Sequence, residues 1–131
     1  MKGTKILTVQ GYRLVETLNI GDVILTHERK PEKILDISRQ IIKWNKNIPN
    51  ELHIYRIPGR FQTFLTRNHK ILVGEEQTFI EPWVNYKKAR KRDICSKSGY
   101  YEIFTIYIQN YESSHLLINY GKITAMTHRL Y

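Results

Sequence analysis

The sequence contains one cysteine, Cys95. A single thiol closes no internal disulfide and forms no Cys-x-x-Cys metal pair, which points to a reducing, intracellular compartment. No apolar run approaches the roughly 20 residues that span a bilayer, and no signal-peptide core follows Met1. Neither membrane attachment nor secretion is therefore expected. Gly-rich phosphate loops and the Gly-x-Ser-x-Gly elbow are missing. His27, His53 and His115 are scattered without a second ligand at metal spacing, so no metal site and no cofactor is expected. Acidic side chains are scarce, with 12 Asp plus Glu against 21 Lys plus Arg, for a formal net charge of +9. That balance favours polyanions or an acidic protein surface as partners, and carries no information about the fold.

What remains is enough for one domain over residues 1–131. A chain of 131 residues with 41% hydrophobic content buries about two-thirds of its unfolded surface and needs no staples. Its segments are short, β-branched or aromatic, and punctuated by turns, the pattern of an all-β domain. Strands are predicted at residues 4–9, 12–18 (with Leu14 inward), 23–26, 34–42, 52–57 and 60–65, with Pro31 breaking the chain before the fourth. A central strand is predicted over 66–73, followed by a return strand at 78–80. Residues 82–92 read as a helical turn or loop, 93–96 as a short strand holding Cys95, and 100–109 as the longest strand. Residues 115–118 and 123–126 form a closing hairpin around Asn119-Tyr120-Gly121. Gly21 supplies a tight turn, because glycine reaches positive φ at no steric cost.

Three features carry candidate chemistry. Thr66 and His69 form a Thr-x-x-His motif in LTRNHKILV; alone, it is first the signature of a hydrogen-bonded histidine at a strand end. The run Tyr86 to Arg92 places Lys87, Lys88, Arg90, Lys91 and Arg92 within seven residues. It is a candidate polyanion contact or a solvated loop. Tyr100, Tyr101, Phe104 and Tyr107 read as core and cross-strand pairs rather than as a base-stacking platform.

Taken together, the fragments resemble the Hint module, the fold shared by inteins and the autoprocessing part of hedgehog proteins. Gly3-Thr4 with its apolar strand matches the opening of that module. Val15, Glu16, Leu18, Gly21, Asp22 and Ile24 follow its second motif. LTRNHKILV matches its Thr-x-x-His strand, and the chain's ending matches its terminal strands. The resemblance implies a compact all-β fold of several short antiparallel strands and hairpins. It also implies a reaction: a Cys or Ser attacks the preceding carbonyl, converting an amide into an ester or thioester. In that reaction Thr66 would hold the scissile peptide, His69 would be general acid or base, and His128 would assist the C-terminal cleavage.

The sequence departs from the pattern in three places. The nucleophile position falls before Met1. Arg129 follows His128 where splicing inteins have Asn, and Thr105 stands where the family often has Asp. Cys95 as a substitute nucleophile is disfavoured, since a thiol in a short apolar strand is ordinarily inert core. The expectation is a non-catalytic Hint-like module serving as a structural or interaction component. It would dock on an acidic protein partner, with a virus particle as one setting. A self-processing module with an upstream nucleophile, and a basic nucleic-acid-associated protein, are the alternatives.

Overall fold

The structure is a computed structural model that describes residues 2–58, 63–67, 69–73, 78–110, 116–118 and 123–125. In chain order the strands are β1 (Lys5–Thr8), β2 (Gly11–Leu14), β3 (Val23–Leu25), β4 (Pro31–Lys33) and β5 (Asp36–Lys43). They continue with β6 (Ile54–Ile57), β7 (Thr63–Thr66), β8 (Ile71–Val73), β9 (Thr78–Ile80) and β10 (Lys87–Lys88). A one-turn helix, α1 (Lys91–Ile94), precedes β11 (Tyr100–Tyr107), β12 (Leu116–Ile118) and β13 (Ile123–Ala125). Three 3₁₀ turns interrupt them at Val15–Thr17, Asn50–Leu52 and Pro82–Val84. No helix among the described residues is long and apolar enough to cross a membrane.

Every pairing among these strands is antiparallel, and they form three sheets. The largest runs β4-β3-β1-β12-β13-β8-β9, with β2 folded back on β1. The chain's opening strand therefore lies beside its closing hairpin: Ile6 pairs with Ile118, and β13 pairs with β8. The second sheet is β10-β6-β7 and the third is the ribbon β11-β5.

Two hydrophobic clusters hold the sheets together. One gathers Ile6, Ile24, Ile34, Leu65, Ile71 and Ile106 with their neighbours, and the other gathers Ile48, Ile54, Ala89, Tyr101 and Ile103. Strand β11 serves both. Tyr101 and Ile103 face the second cluster while Phe104 and Ile106, with Ile108 just past the strand, face the first. Its burial alternates until Ile103 and Phe104, which are both buried. The aromatic residues thus divide: Tyr101 and Phe104 are core, while Tyr100 is exposed.

Several sequence expectations are corrected. The stretch 66–73 is not one strand. The chain leaves the second sheet at Thr66, turns, and enters the largest sheet at Ile71. A turn bond from the His69 N–H to the Thr66 carbonyl, at 3.1 Å, makes the switch. Leu14 is exposed whereas Val15 and Leu18 are buried, because the 3₁₀ turn at 15–17 breaks the two-residue period. Pro31 does not break the run but opens β4, an edge strand, where its missing N–H costs no ladder bond. Residues 93–96 are not a strand: α1 occupies 91–94 and Cys95 is its C-terminal cap, partly exposed rather than core. Gly21 has φ of +94°, as the turn requires.

The ribbon carries a pH-sensitive bond. Arg39 on β5 donates to both carboxylate oxygens of Glu102 on β11, each at 3.0 Å. This hydrogen bond, with Arg39's charge behind it, holds the Glu102 carboxyl below its ordinary value of 4.5. A depressed carboxyl stabilises the fold above the unfolded-state value, and that contribution is lost as pH falls through the folded one. The pair is exposed, so the effect is small and screened by salt. Glu102→Gln is expected to lower thermal stability slightly at neutral pH and to flatten its decline between about pH 5 and 3. Melting curves across that window, at low salt, check it; parallel curves for the two proteins would remove the bond from the acid response.

Candidate functional site

The Thr66–His69 pair is built by the switch between sheets. Thr66 is the last residue of β7, fixed opposite Ile54 of β6. His69 stands two residues before Ile71, which is fixed opposite Ile80 and Ala125. The turn between them brings the Thr66 Oγ1 to 2.5 Å from the His69 Nδ1. Both side chains are buried, Thr66 at 5% and His69 at 9% exposure. The bond fixes the orientation of the imidazole, with donor and acceptor set by the ring tautomer.

The turn is also braced from outside, by residues that the motif alone does not reveal. Arg67 stacks its guanidinium over Trp83 at 5.0 Å and lies 4.0 Å from a Glu81 carboxylate oxygen. The Trp83 indole N–H donates to Glu81. Trp83 belongs to the 3₁₀ turn that Pro82 opens after β9. Nothing in its spacing from Thr66 signals the contact, which exists because β9 returns the chain alongside β8.

At the other candidate location, the start of β1, Glu16 is the organising residue. Its two carboxylate oxygens accept from the Gly3 N–H at 3.0 and 3.1 Å. The Val15 N–H donates to the Thr4 carbonyl at 2.8 Å. The Val-Glu motif thus fastens the segment that leads into β1. Asp22, from the same motif, accepts from the Asn19 N–H at 2.8 Å and closes the turn around Gly21.

An open cavity of about 540 Å³ lies beside this segment, lined by Lys2, Gly3, Glu16, Phe64, Cys95 and Glu102 among others. Thr66 and His69 do not line it. The structure therefore brings Cys95 to the cavity beside the N-terminal segment. Burial is the main influence on the Cys95 thiol and pushes its pKa up, partly offset by Lys91. A raised thiol is mostly protonated at neutral pH and is a poor nucleophile. Thr105 lies on β11 opposite Ser38. His128 and His115 lie outside the described residues. Among the described residues no group of three His, Cys, Asp or Glu could hold a metal ion.

The basic run is not a continuous loop. Lys87 and Lys88 form the edge strand β10, Ala89 is buried, and Arg90 caps α1, which begins with Lys91 and Arg92. All five cations are exposed.

Comparisons with known proteins agree with this architecture. The chain covers 96% of an intein-like domain from Clostridium thermocellum, with 96% of this chain aligned, a TM-score of 0.66 and 13% identity. It covers 96% of the MchDnaB-1 intein, with 95% of this chain aligned, a TM-score of 0.61 and 10% identity. Identities this low show the shared fold and no more. A search of curated proteins finds no match. The family model described as the Hint domain matches residues 1–84, which contain the Gly-Thr strand, the Val-Glu turn and the Thr66–His69 pair. The chain belongs to the Hint domain family.

Proposed function

We propose that this chain is a Hint module used as a non-catalytic structural or interaction component of a larger assembly. The observation that carries this reading is the state of Cys95: burial pushes its thiol pKa up, and the cavity it borders is lined by neither Thr66 nor His69. Acyl transfer needs nucleophile and acid–base group within reach of one carbonyl. Thr105, opposite Ser38 on the late strand, supplies no carboxylate there. In this reading the Thr66–His69 bond is a fold element that fixes the passage between two sheets.

The partner is a protein with an acidic surface, drawn by the net charge of +9. Trp83 and Val84 are 44% and 54% exposed, and Arg67 lies against the Trp83 ring. Tryptophan and arginine together are the residues that most often anchor protein interfaces. A reducing intracellular compartment suits the single thiol, and a virus particle is the setting we propose for the assembly.

A self-processing module, with its Cys or Ser supplied by residues preceding Met1, is the second reading. The intact Thr66–His69 hydrogen bond favours it. One experiment separates the two. The chain carrying a short N-terminal peptide extension with Cys placed directly before Met1 is incubated with and without a thiol, and its mass is followed. An unchanged mass is expected. Release of the extension, abolished by His69→Ala, would establish self-processing and overturn the non-catalytic reading.

A further inference from the structure

We infer that the knuckle formed by β10 and α1 is a binding site for the phosphate backbone of a nucleic acid strand. This goes beyond the docking role above and does not rest on it. Residues 86–98 carry six cations, Lys87, Lys88, Arg90, Lys91, Arg92 and Lys97, against one acid, Asp93. All six are exposed. The knuckle is rigidly placed by its backbone and not by its charges. The Ala89 N–H donates to the Ile54 carbonyl at 2.8 Å, and buried Ala89 packs into the second hydrophobic cluster. The Cys95 N–H donates to the Lys91 carbonyl at 3.0 Å, and the Ser96 N–H donates to the Tyr100 carbonyl at 2.8 Å.

The arrangement carries an electrostatic cost that the fold does not need. Lys87 sits directly opposite Arg56 across the β10–β6 ladder, and like charges in that position repel. The lone acid is committed first to Arg90 and reaches Arg56 through charge alone. Asp93 Oδ2 accepts from the Arg90 N–H at 3.0 Å and from its guanidinium Nε at 3.3 Å, closing the helix cap. Among the described residues, Arg90 is the only one of the six cations with an ion pair. A strand of phosphates would neutralise what the protein leaves uncompensated.

Two further observations favour phosphate over an acidic protein. A groove of about 660 Å³ is lined by Arg90, Lys91, Arg92, Cys95 and Ser96, so three of its five lining residues are cations. And none of the exposed large hydrophobic residues lies within 86–98. A protein interface is built around desolvated apolar or aromatic anchors, whereas phosphate contacts need charge alone. At one end of the groove, Ser96 and Cys95 also border the cavity with the exposed Tyr100 ring, over which Lys43 lies at 5.9 Å. That ring can stack on a base of any identity, so the site is expected to be indifferent to sequence.

The test is fluorescence anisotropy with a labelled mixed-sequence single-stranded DNA of about 20 nucleotides, from 50 to 200 mM NaCl. About five phosphate contacts predict a slope of log K against log salt near −3.5. The triple variant Lys87→Gln, Lys88→Gln, Arg92→Gln spares Arg90 and the cap, and its fold is checked by circular dichroism. It is expected to flatten the slope by about 2 and to weaken binding at 50 mM roughly tenfold or more. A second triple variant, Lys5→Gln, Lys30→Gln, Lys33→Gln, removes equal charge elsewhere. Equal losses in both would reduce the effect to net charge and overturn the site. Salt-independent binding, no binding at 50 mM, or a polyglutamate competitor displacing the DNA at equal charge concentration would overturn the nucleic-acid assignment. The last of these would return the knuckle to an acidic protein.

Discussion

Ile71→Ala is expected to lower the unfolding free energy by about 3 kcal/mol, within the 2–5 kcal/mol that buried Ile-to-Ala changes cost. Ile71 is 1% exposed and belongs to the larger hydrophobic cluster. It lies on β8, bonded on one side to β9 and on the other to β13, with partners Ile80 and Ala125. A strand held on both sides cannot shift inward to fill the space left by the missing carbons. The loss therefore includes a cavity as well as the transfer of apolar surface. Ile41→Ala is the internal control. Ile41 is 60% exposed on the ribbon, and its change is expected to stay within about 0.5 kcal/mol. Urea unfolding of the two variants at constant m measures the difference. Equal midpoints would mean that β8 is not at the centre of the core. The loss from Ile71 alone is a large share of the roughly 5–15 kcal/mol that holds a domain together.

Thr66→Val tests the pair itself, and is expected to cost about 1–3 kcal/mol. Valine keeps the branched shape that β7 requires and removes only the hydroxyl. The His69 Nδ1 then loses its 2.5 Å partner in a site where His69 is 9% exposed. A buried polar nitrogen without that bond incurs its desolvation cost. His69→Ala removes the other half. If the bond is what matters, the double variant is less destabilised than the sum of the singles, with a coupling of about 1 kcal/mol or more. Strict additivity would show that the two residues act separately. The cycle also bears on function. In a fold element the coupling appears in stability alone; in a self-processing module the same substitutions would also stop release of an N-terminal extension.

The sequence alone determined the class of fold and the family, and it singled out the Thr66–His69 motif and the basic run. Short β-branched segments split by turns cannot be read as helices, because their apolar residues recur every two positions and their turns come too soon. The family resemblance rested on Gly3, Thr4, Val15, Glu16, Gly21, Asp22, Thr66 and His69, and the Hint family match over residues 1–84 bears it out. Most of these positions act locally, as the Thr66–His69 turn and the Asn19–Asp22 turn do, while Glu16 reaches back to Gly3 across the first hairpin.

What the sequence could not decide was anything that depends on strands meeting. LTRNHKILV reads as a single strand because both halves are apolar, yet it passes between sheets at the Thr66 turn. Only the pairings of β7 with β6 and of β8 with β13 show that. The bracing of Arg67 by Trp83 joins residues from separate segments. Cys95 changed from a strand residue to a helix cap for a related reason. Its backbone N–H bonds four residues back, to Lys91, and the apolar pattern of so short a segment cannot distinguish that from a ladder. The cationic run was visible from composition, but its division into an edge strand, a buried alanine and a capped turn was not. Hydrogen bonds between distant segments fix those choices, and their partners are set by tertiary packing rather than by any local preference.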